Sequence, residues 1–439
     1  MASISTQFRN RLTDLAAAGR EFLELTRLSS KREQSLAQLC DEMMRQKGEA
    51  SSIALADQLL QQFASADAEQ KLSFFTYLLV EQAADTTEVA NAIDAYQVEP
   101  SLTRLSELRQ VLDPPRREVI RTLNTAPNGT LSLVQLRSEL LDLVSANPAL
   151  DVVDKDLSYL LQEWFNRGFL ELRQIDWQTP AFILEQLIEY EAVHEIQGWD
   201  DLRRRLASDR RCFAFFHPAM PNEPLIFVQV ALTQTMATSI QDLLNQPIPE
   251  KNETMFRNAI FYSISNCQRG LRGISFGNFL IKQVVEMLAA EIPSINQFVT
   301  LSPIPGFNKW LKSSLSDRDY SLLTDNHRTR LESLDLEESH LFSESDKALL
   351  REICAIYLVN AKTGQFPCDP VARFHLGNGA RLEQINWAAD TSDKGMLESC
   401  GMLVNYLYDS ASVTGNHEAY SNHGEIAMSK TVASLLTAR

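Results

Sequence analysis

The segment AIFYSISNCQRGLRGISFGN, residues 259–278, joins a strand-like run to a glycine-rich loop. Its first seven residues are mostly apolar, with β-branched and aromatic side chains among them, which is typical of a central strand covered on both faces. Glycines follow at three positions of the loop, and apolar residues then recur with helical spacing from Leu280 to Leu288. This order of strand, loop and helix predicts a mixed α/β domain.

Other strand-like runs lie on both sides of that segment in the sequence. Apolar runs predict strands at residues 168–172, 211–216, 225–232 and 403–408. Residues 315–360 are charge-rich and have the apolar spacing of helices. The predicted α/β domain therefore extends over residues 165–439.

The N-terminal third of the chain has a different composition. Residues 1–164 contain only Gly19, Gly48 and Gly129 of the 16 glycines, and the first proline is Pro100. Apolar residues recur every three to four positions along these stretches, which predicts amphipathic helices and hence an all-α domain over residues 1–164. Because this domain lacks polar side chains that could converge on a substrate, we expect it to mediate self-association, as a dimer or a tetramer.

The composition argues against several classes of protein. The formal net charge of −16 is unfavourable for binding nucleic acid or an anionic membrane, because both favour basic proteins. No run approaches the about 18 consecutive apolar residues of a transmembrane helix, and the N-terminus lacks a secretory signal, so we expect a cytoplasmic protein. The six cysteines form no Cys-x-x-Cys pair, which predicts reduced thiols. We expect no metal and no organic cofactor.

The glycine-rich loop is suited to binding a phosphate group. Glycine lets the backbone approach a ligand closely, and free amides at a helix start attract anions. Arg269 and Arg272 add positive charge. The pattern matches neither the P-loop nor the dinucleotide-binding fingerprint, and a purely structural strand-to-helix turn is an equally good interpretation.

Ser302 lies in the segment TLSPIPGF, residues 300–307. Two prolines flanking one residue stiffen the backbone beyond the serine, which would fix its hydroxyl beside a substrate. From the spacing alone, a proline-rich turn whose serine caps the following helix is favoured over that interpretation. The segment differs from the Gly-x-Ser-x-Gly elbow of hydrolases.

His375 lies in the segment FHLGNGA, residues 374–380. A histidine before a Gly-Asn-Gly turn can present its ring at the end of a strand, and histidine is the usual acid or base near neutral pH. Most isolated histidines are structural, which is how we interpret the other six.

These segments, in this order, closely resemble the malonyl-CoA decarboxylase family. The resemblance spans nearly the whole chain and is densest between residues 190 and 408. It is carried by residues 190–194, 221–225, 261–265, 270–278, 300–311, 374–380 and 403–408. Few other families have a segment similar to residues 300–307, so the likeness is specific.

The resemblance implies a fold and a reaction. The family is described as an N-terminal helical domain followed by a catalytic domain with the GNAT acyl-CoA-binding fold, which agrees with the division predicted above. Its members are carboxy-lyases that convert malonyl-CoA to acetyl-CoA and carbon dioxide without a metal or an organic cofactor. Malonyl-CoA and acetyl-CoA are thus the expected ligands.

The resemblance also implies which residues form the site. Ser302 and His375 match the family's catalytic pair, with His375 as proton donor and Ser302 as a relay that orients the departing carboxylate. Tyr408 matches a supporting tyrosine. The CoA pyrophosphate would lie on the loop, where Leu271 departs from the usual Arg/Gln-x-x-Gly-x-Gly/Ala pattern. The implied substrate-binding residues are Ser302, His375 and the loop residues Arg272, Gly273, Ile274, Ser275, Phe276, Gly277 and Asn278.

Two other functions stay open on the same scaffold. A GNAT-type acyltransferase would pass the acyl group from CoA to an amine and release free CoA, whereas a decarboxylase keeps the thioester. A catalytically inactive acyl-CoA sensor would have little need of both Ser302 and His375. The chain has Ser275 where animal members have a glutamate, and it ends at Arg439 without a Ser-Lys-Leu address, so we expect a bacterial-type member.

Overall fold

The computed structural model describes residues 4–26, 34–249, 256–274, 280–316, 322–334 and 342–437. The chain divides into two compact units, neither of which is continuous in sequence. The first unit consists of residues 1–171, 216–225 and 268–276, and the second of residues 172–215, 226–267 and 277–439. Two segments beyond residue 165 are thus grouped with the N-terminal helices. The predicted boundary after residue 164, which follows the chain, stays a prediction.

Helices build the first unit as far as residue 164. The described residues of this region contain no strand, which confirms the predicted all-α composition. Leucine and phenylalanine side chains form the core, where the rings of Phe63 and Phe75 lie 5.5 Å apart, edge to face. The helices are α1 (Ile4–Thr26), α2 (Leu36–Arg45), α3 (Glu49–Ser65), α4 (Ala68–Val80), α5 (Thr86–Val98), α6 (Leu102–Leu112), α7 (Pro115–Leu123), α8 (Gly129–Val144) and α9 (Asp151–Trp164).

A mixed sheet forms the centre of the second unit. The described strands are β1 (Glu171–Ile175), β2 (Arg210–Phe216), β3 (Ile226–Thr233), β4 (Asn258–Asn266), β5 (Gln297–Thr300), β6 (Lys362–Thr363), β7 (Phe366–Pro367), β8 (Arg381–Asn386) and β9 (Leu403–Tyr408). Seven of them are ordered β1-β2-β3-β4-β5-β9-β8, and β6 pairs with β7 separately. β4 and β5 run parallel, whereas β9 is antiparallel to both β5 and β8. β9 therefore lies directly beside the end of β5.

Helices connect and cover these strands. They are α10 (Ala181–Tyr190), α11 (Trp199–Arg205), α12 (Ile240–Asn245), α13 (Leu280–Glu291), α14 (Phe307–Ser316), α15 (Asp325–Glu332), α16 (Glu344–Asn360), α17 (Pro370–Gly377), α18 (Asp393–Ser399), α19 (Val413–His423) and α20 (Lys430–Thr437). α13 is the helix predicted to follow the glycine-rich loop. In the part of the chain that the structure describes, no helix is both long and apolar enough to cross a membrane.

Most of the predicted strands are confirmed, and one is displaced. β2, β3, β4 and β9 occupy the predicted positions. The strand predicted at residues 168–172 instead starts at Glu171, after a 3-10 helix over Arg167–Phe169. The Gly168 N–H donates to Asn166 Oδ1 at 3.1 Å, and this local turn replaces strand pairing at the glycine.

Candidate active site

Ser302 lies just beyond the end of β5 and is held against β9. Its N–H donates to the Val404 carbonyl at 2.8 Å, and its own carbonyl accepts from the Val404 N–H at 2.9 Å. These reciprocal bonds and the prolines at 303 and 305 fix the backbone on both sides of the serine. The hydroxyl contacts Thr300 Oγ1 of β5 and His375 Nε2 rather than capping α14, so the capping interpretation is wrong.

His375 lies in the last turn of α17, not at the end of a strand as the sequence suggested. The helix begins where Asp369 Oδ1 accepts the N–H groups of Val371 and Ala372, at 3.0 and 2.9 Å, with Pro370 at the first helical position. An aspartate cap followed by proline is a strong helix start. The Gly-Asn-Gly turn ends this helix and begins no hairpin.

Three predicted site residues meet in a continuous hydrogen-bonded chain. Ser302 Oγ lies 3.0 Å from His375 Nε2, and His375 Nδ1 lies 2.8 Å from the Tyr408 hydroxyl. All three side chains are buried, His375 with only 3% of its surface exposed. Residues separated by 106 positions in the sequence, from Ser302 to Tyr408, thus form one polar cluster in an apolar setting.

Thr300 determines in which direction the hydrogen bonds of this cluster are donated. The Ser302 hydroxyl donates to Thr300 Oγ1 at 2.8 Å, and the same oxygen accepts the Tyr406 N–H at 3.1 Å. With its proton directed at Thr300, Ser302 Oγ accepts from His375, which requires the proton of the neutral ring to be on Nε2. Nδ1 is then an acceptor for the Tyr408 hydroxyl. The resting cluster runs from Tyr408 through His375 and Ser302 to Thr300.

Burial keeps the cluster uncharged. It lowers the pKa of His375 from its usual value to about 3, because the imidazolium would lose its hydration inside the protein. Burial raises the pKa of Tyr408 well above the usual tyrosine value for the same reason. The Tyr406 ring stacks on the imidazole, with centroids 4.7 Å apart and planes at 24°. At neutral pH the site therefore holds a neutral imidazole and two neutral hydroxyls.

Several supporting residues were missed in the sequence. Asn405 is fully buried and donates to the Thr300 carbonyl at 2.8 Å, while its oxygen accepts from Asn386 Nδ2 at 2.6 Å. Thr300 belongs to the segment of residues 300–307, in which no pattern indicates a role for the threonine. No local pattern marks Asn405 or Asn386, whereas Asp369 directly before Pro370 is a signal that could have been read.

Only part of the predicted CoA-binding loop is described. Arg272 is exposed, and Gly273 has a φ of +81°, a conformation that favours glycine. Ile274 is buried. Ser275, Phe276, Gly277 and Asn278 lie outside the described residues. Arg272–Ile274 belong to the first compact unit, and Ser302, His375 and Tyr408 to the second.

The fold is shared with solved enzymes. The crystal structure of malonyl-CoA decarboxylase from Rhodopseudomonas palustris is 46% identical, with a TM-score of 0.87, and the match covers 92% of this chain and 100% of that one. The enzyme from Agrobacterium vitis is 44% identical, with a TM-score of 0.84, over 91% of this chain and 99% of that one. The chain is thus a carboxy-lyase in which a helical region precedes a mixed α/β domain, as predicted.

The sequence comparisons identify the family. Residues 168–439 match the profile of the malonyl-CoA decarboxylase C-terminal domain, and residues 83–165 match that of the N-terminal domain. The mitochondrial malonyl-CoA decarboxylase of Anser anser anser is 37% identical over 357 residues, which cover 75% of this chain and 71% of that protein. The chain belongs to the malonyl-CoA decarboxylase family, which confirms the predicted resemblance.

Proposed function

We propose that the protein decarboxylates malonyl-CoA at the hydrogen-bonded cluster of Tyr408, His375 and Ser302. The main support is the 3.0 Å contact between Ser302 Oγ and His375 Nε2, in a setting where burial keeps the imidazole neutral. A neutral imidazole with its proton on Nε2 can pass that proton on if Nδ1 takes the hydroxyl proton of Tyr408 in the same step. The reaction needs such a donor once carbon dioxide has left.

The first step breaks the bond between the α-carbon and the carboxylate of malonyl-CoA. Carbon dioxide leaves, and the electron pair moves onto the thioester as an enolate. Because Ser302, His375 and Tyr408 carry no charge, none of them forms an ion pair that would stabilise the substrate carboxylate. The Ser302 hydroxyl, turned from Thr300 to the substrate, can instead donate to the negative oxygen as it forms, while it accepts from His375 Nε2. The cluster therefore favours the transition state over the bound substrate.

The second step returns a proton to the enolate carbon. Ser302 gives up its hydroxyl proton to the carbon and receives the proton of His375 Nε2, so His375 is the donor and Ser302 the relay. As Nε2 loses its proton, Nδ1 takes the hydroxyl proton of Tyr408, and the imidazole never becomes an anion. Because the raised pKa of Tyr408 makes its phenolate unfavourable, the phenol recovers a proton from solvent. One proton is consumed for each acetyl-CoA formed.

The CoA part of the substrate is proposed to bind at residues 272–278. Arg272 supplies a positive charge, and the Gly273 N–H has no hydrogen-bond partner among the described residues. A free backbone amide next to an exposed guanidinium suits a phosphate oxygen. Ile274 is buried and would anchor the loop.

The decisive measurement is a product assay with purified protein and malonyl-CoA. We expect one acetyl-CoA and one carbon dioxide for each malonyl-CoA consumed, with no free CoA. Dialysis against EDTA should leave turnover unchanged, since neither protonation nor enolate stabilisation in this scheme uses a metal. Free CoA released only when an amine is present would indicate the acyltransferase instead, and binding without turnover would indicate the sensor. Activity lost to EDTA and restored by one metal would contradict the metal-independent scheme.

We further propose that the helical region mediates self-association and that the protein is cytoplasmic. α5 and α6 contain no buried residue. Val98 and Leu102, at the turn between them, are 87% and 86% exposed. Apolar side chains this exposed, on two neighbouring helices, are suited to contact with a second copy of the chain.

The cytoplasmic location has a separate test. Cell fractionation that recovers the protein outside the cytosolic fraction would contradict the assigned location.

Charge placed on that helical hairpin should reduce the assembly. In full-length protein carrying Val98→Asp and Leu102→Asp, light scattering should report a smaller particle mass than for the unmodified protein, because carboxylates are costly in an apolar contact. Leu397→Asp is a matched control, since Leu397 is 73% exposed on α18, outside the helical region. Equal masses for all three proteins would refute the proposed role of α5 and α6.

A further inference from the structure

We infer that Arg137, on α8 of the helical region, is a positioning residue for the CoA-binding loop. This inference rests on the proposed binding of the CoA moiety at Arg272 and Gly273. The side chain is buried, with 3% of its surface exposed. Its Nη1 donates to the carbonyl oxygens of Gly270 and Arg272, at 2.7 and 2.9 Å. One guanidinium thus holds two backbone groups on either side of Leu271.

Asp154 on α9 fixes the orientation of the guanidinium. Arg137 Nε lies 2.7 Å from Asp154 Oδ1, and Nη2 lies 3.3 Å from Oδ2. This two-point pairing balances the buried charge and holds the plane of the guanidinium, which a lysine could not reproduce. The remaining N–H groups of Nη1 are therefore aimed at the loop.

The loop and α8 approach each other at backbone distance. A Cβ atom built on Gly270 would overlap the carbonyl oxygen of Val134. The same segment is tied down at its start, where Arg269 forms an ion pair with Asp142 of α8. Arg269 is thereby engaged with a carboxylate, which leaves Arg272 as the loop arginine available to a phosphate.

Holding the Arg272 carbonyl also aims the next amide. Because the peptide unit is planar and trans, its C=O and N–H point in opposite directions. With the Arg272 carbonyl directed at Arg137, the Gly273 N–H points away from α8. That N–H is the group with no partner among the described residues. Arg137 therefore presents the Gly273 amide to a ligand without touching the ligand itself.

The test is a comparison of two substrates in Arg137→Met. Malonyl-CoA carries the nucleotide and its phosphates, whereas malonyl-pantetheine has the same reacting thioester and lacks them. We expect KM for malonyl-CoA to rise about tenfold, the order of effect of a lost charged hydrogen bond. The kcat should stay within about twofold, and KM for malonyl-pantetheine should not change. Arg137→Lys, which keeps the charge but not the fork, should give an intermediate KM.

Arg116→Met is the matched control. Arg116 is also buried in the helical region, where its Nε lies 2.5 Å from Asp156 Oδ2 on α9. The Arg116→Met variant should have lower thermal stability than the unmodified protein, with both KM values unchanged. If Arg137→Met affects the two substrates equally, or lowers kcat with KM unchanged, the residue is structural and the inference is wrong. Should the methionine variant fail to fold, the same comparison in Arg137→Lys decides the question.

Gly273→Val separates this inference from the proposed CoA site. Valine is strained at a φ of +81° and would move the amide itself. Unchanged kinetics in folded Gly273→Val would show that the loop does not bind the nucleotide. A raised KM for malonyl-CoA in Gly273→Val, together with an unchanged KM in Arg137→Met, would overturn the role of Arg137 alone.

Discussion

His375→Asn should lower kcat about 10²–10⁴-fold, the usual loss when a general acid is removed. The asparagine amide can reach the position of Nδ1 and keep a bond to Tyr408, but it is too short to replace Nε2, which lies 3.0 Å from Ser302 Oγ. The relay is thus cut while the pocket volume is largely preserved. KM for malonyl-CoA should change little, because the nucleotide is proposed to bind on the loop. Steady-state kinetics on folded protein measure both quantities.

Ser302→Ala should also lower kcat, and its effect should not add to that of His375→Asn. The alanine leaves Thr300 Oγ1 bonded to the Tyr406 N–H, so the backbone around residue 302 should be kept. Because Ser302 and His375 pass the same proton, the double variant should be scarcely worse than His375→Asn alone.

The matched control for that series is Ser399→Ala. Ser399 is equally buried, and its hydroxyl donates to the Met402 carbonyl at 2.7 Å, outside the relay. Its kcat should be unchanged. Losses that multiply in the double variant would mean that Ser302 and His375 act independently. Near-native kcat in His375→Asn would make His375 structural, with Tyr408 as the next candidate donor.

The second large effect is expected from Asp369→Ala, which acts on the helix that carries His375. Asp369 is fully buried, and its two oxygens accept the Val371 and Ala372 N–H groups and the Tyr357 hydroxyl. Losing the cap and leaving buried donors unpaired should lower the free energy of unfolding by about 2–4 kcal/mol. His375 should shift with the helix, so kcat should fall at least about tenfold.

Two variants test whether that loss acts through the cap. Asp369→Asn keeps an oxygen for the Val371 and Ala372 amides and should recover much of the kcat. Asp67→Ala removes an exposed cap from α4, where Asp67 Oδ1 accepts the Gln70 N–H at 2.8 Å. It should cost about 1 kcal/mol and leave kcat unchanged. A folded Asp369→Ala variant with normal kcat would show that the cap does not position His375. Chemical denaturation and kinetics on the same samples give both numbers.

Local pattern was sufficient for the broad organisation of this chain. Glycine usage separated the helical N-terminal region from the strand-rich remainder, and the apolar runs at β3 and β4 became buried central strands. Local pattern is ambiguous at His375, because the glycines at 377 and 379 indicate a turn whereas Asp369 and Pro370 indicate the helix start that the structure contains. Both signals are local, and the cap was the more specific of the two.

Other features depend on contacts that no local pattern contains. Thr300 directs the Ser302 proton only because β5 lies beside β9, more than a hundred residues later, which brings the Tyr406 N–H to its hydroxyl. Asn405 reaches the Thr300 carbonyl through the same pairing. A single sequence shows these residues as an unremarkable threonine and asparagine within strands.

The composition of the first unit has a consequence for the order in which the chain acquires its structure during synthesis. The helices through α9 leave the ribosome early and can begin to pack as they emerge, as N-terminal regions generally do. Arg137, however, meets the Gly270 carbonyl only after 133 more residues have been added. Until then Arg137 can pair with the Asp154 carboxylate, but it lacks the carbonyl groups of Gly270 and Arg272. The region translated first is therefore completed late, and dividing the gene after residue 164 would separate α8 from the loop it supports.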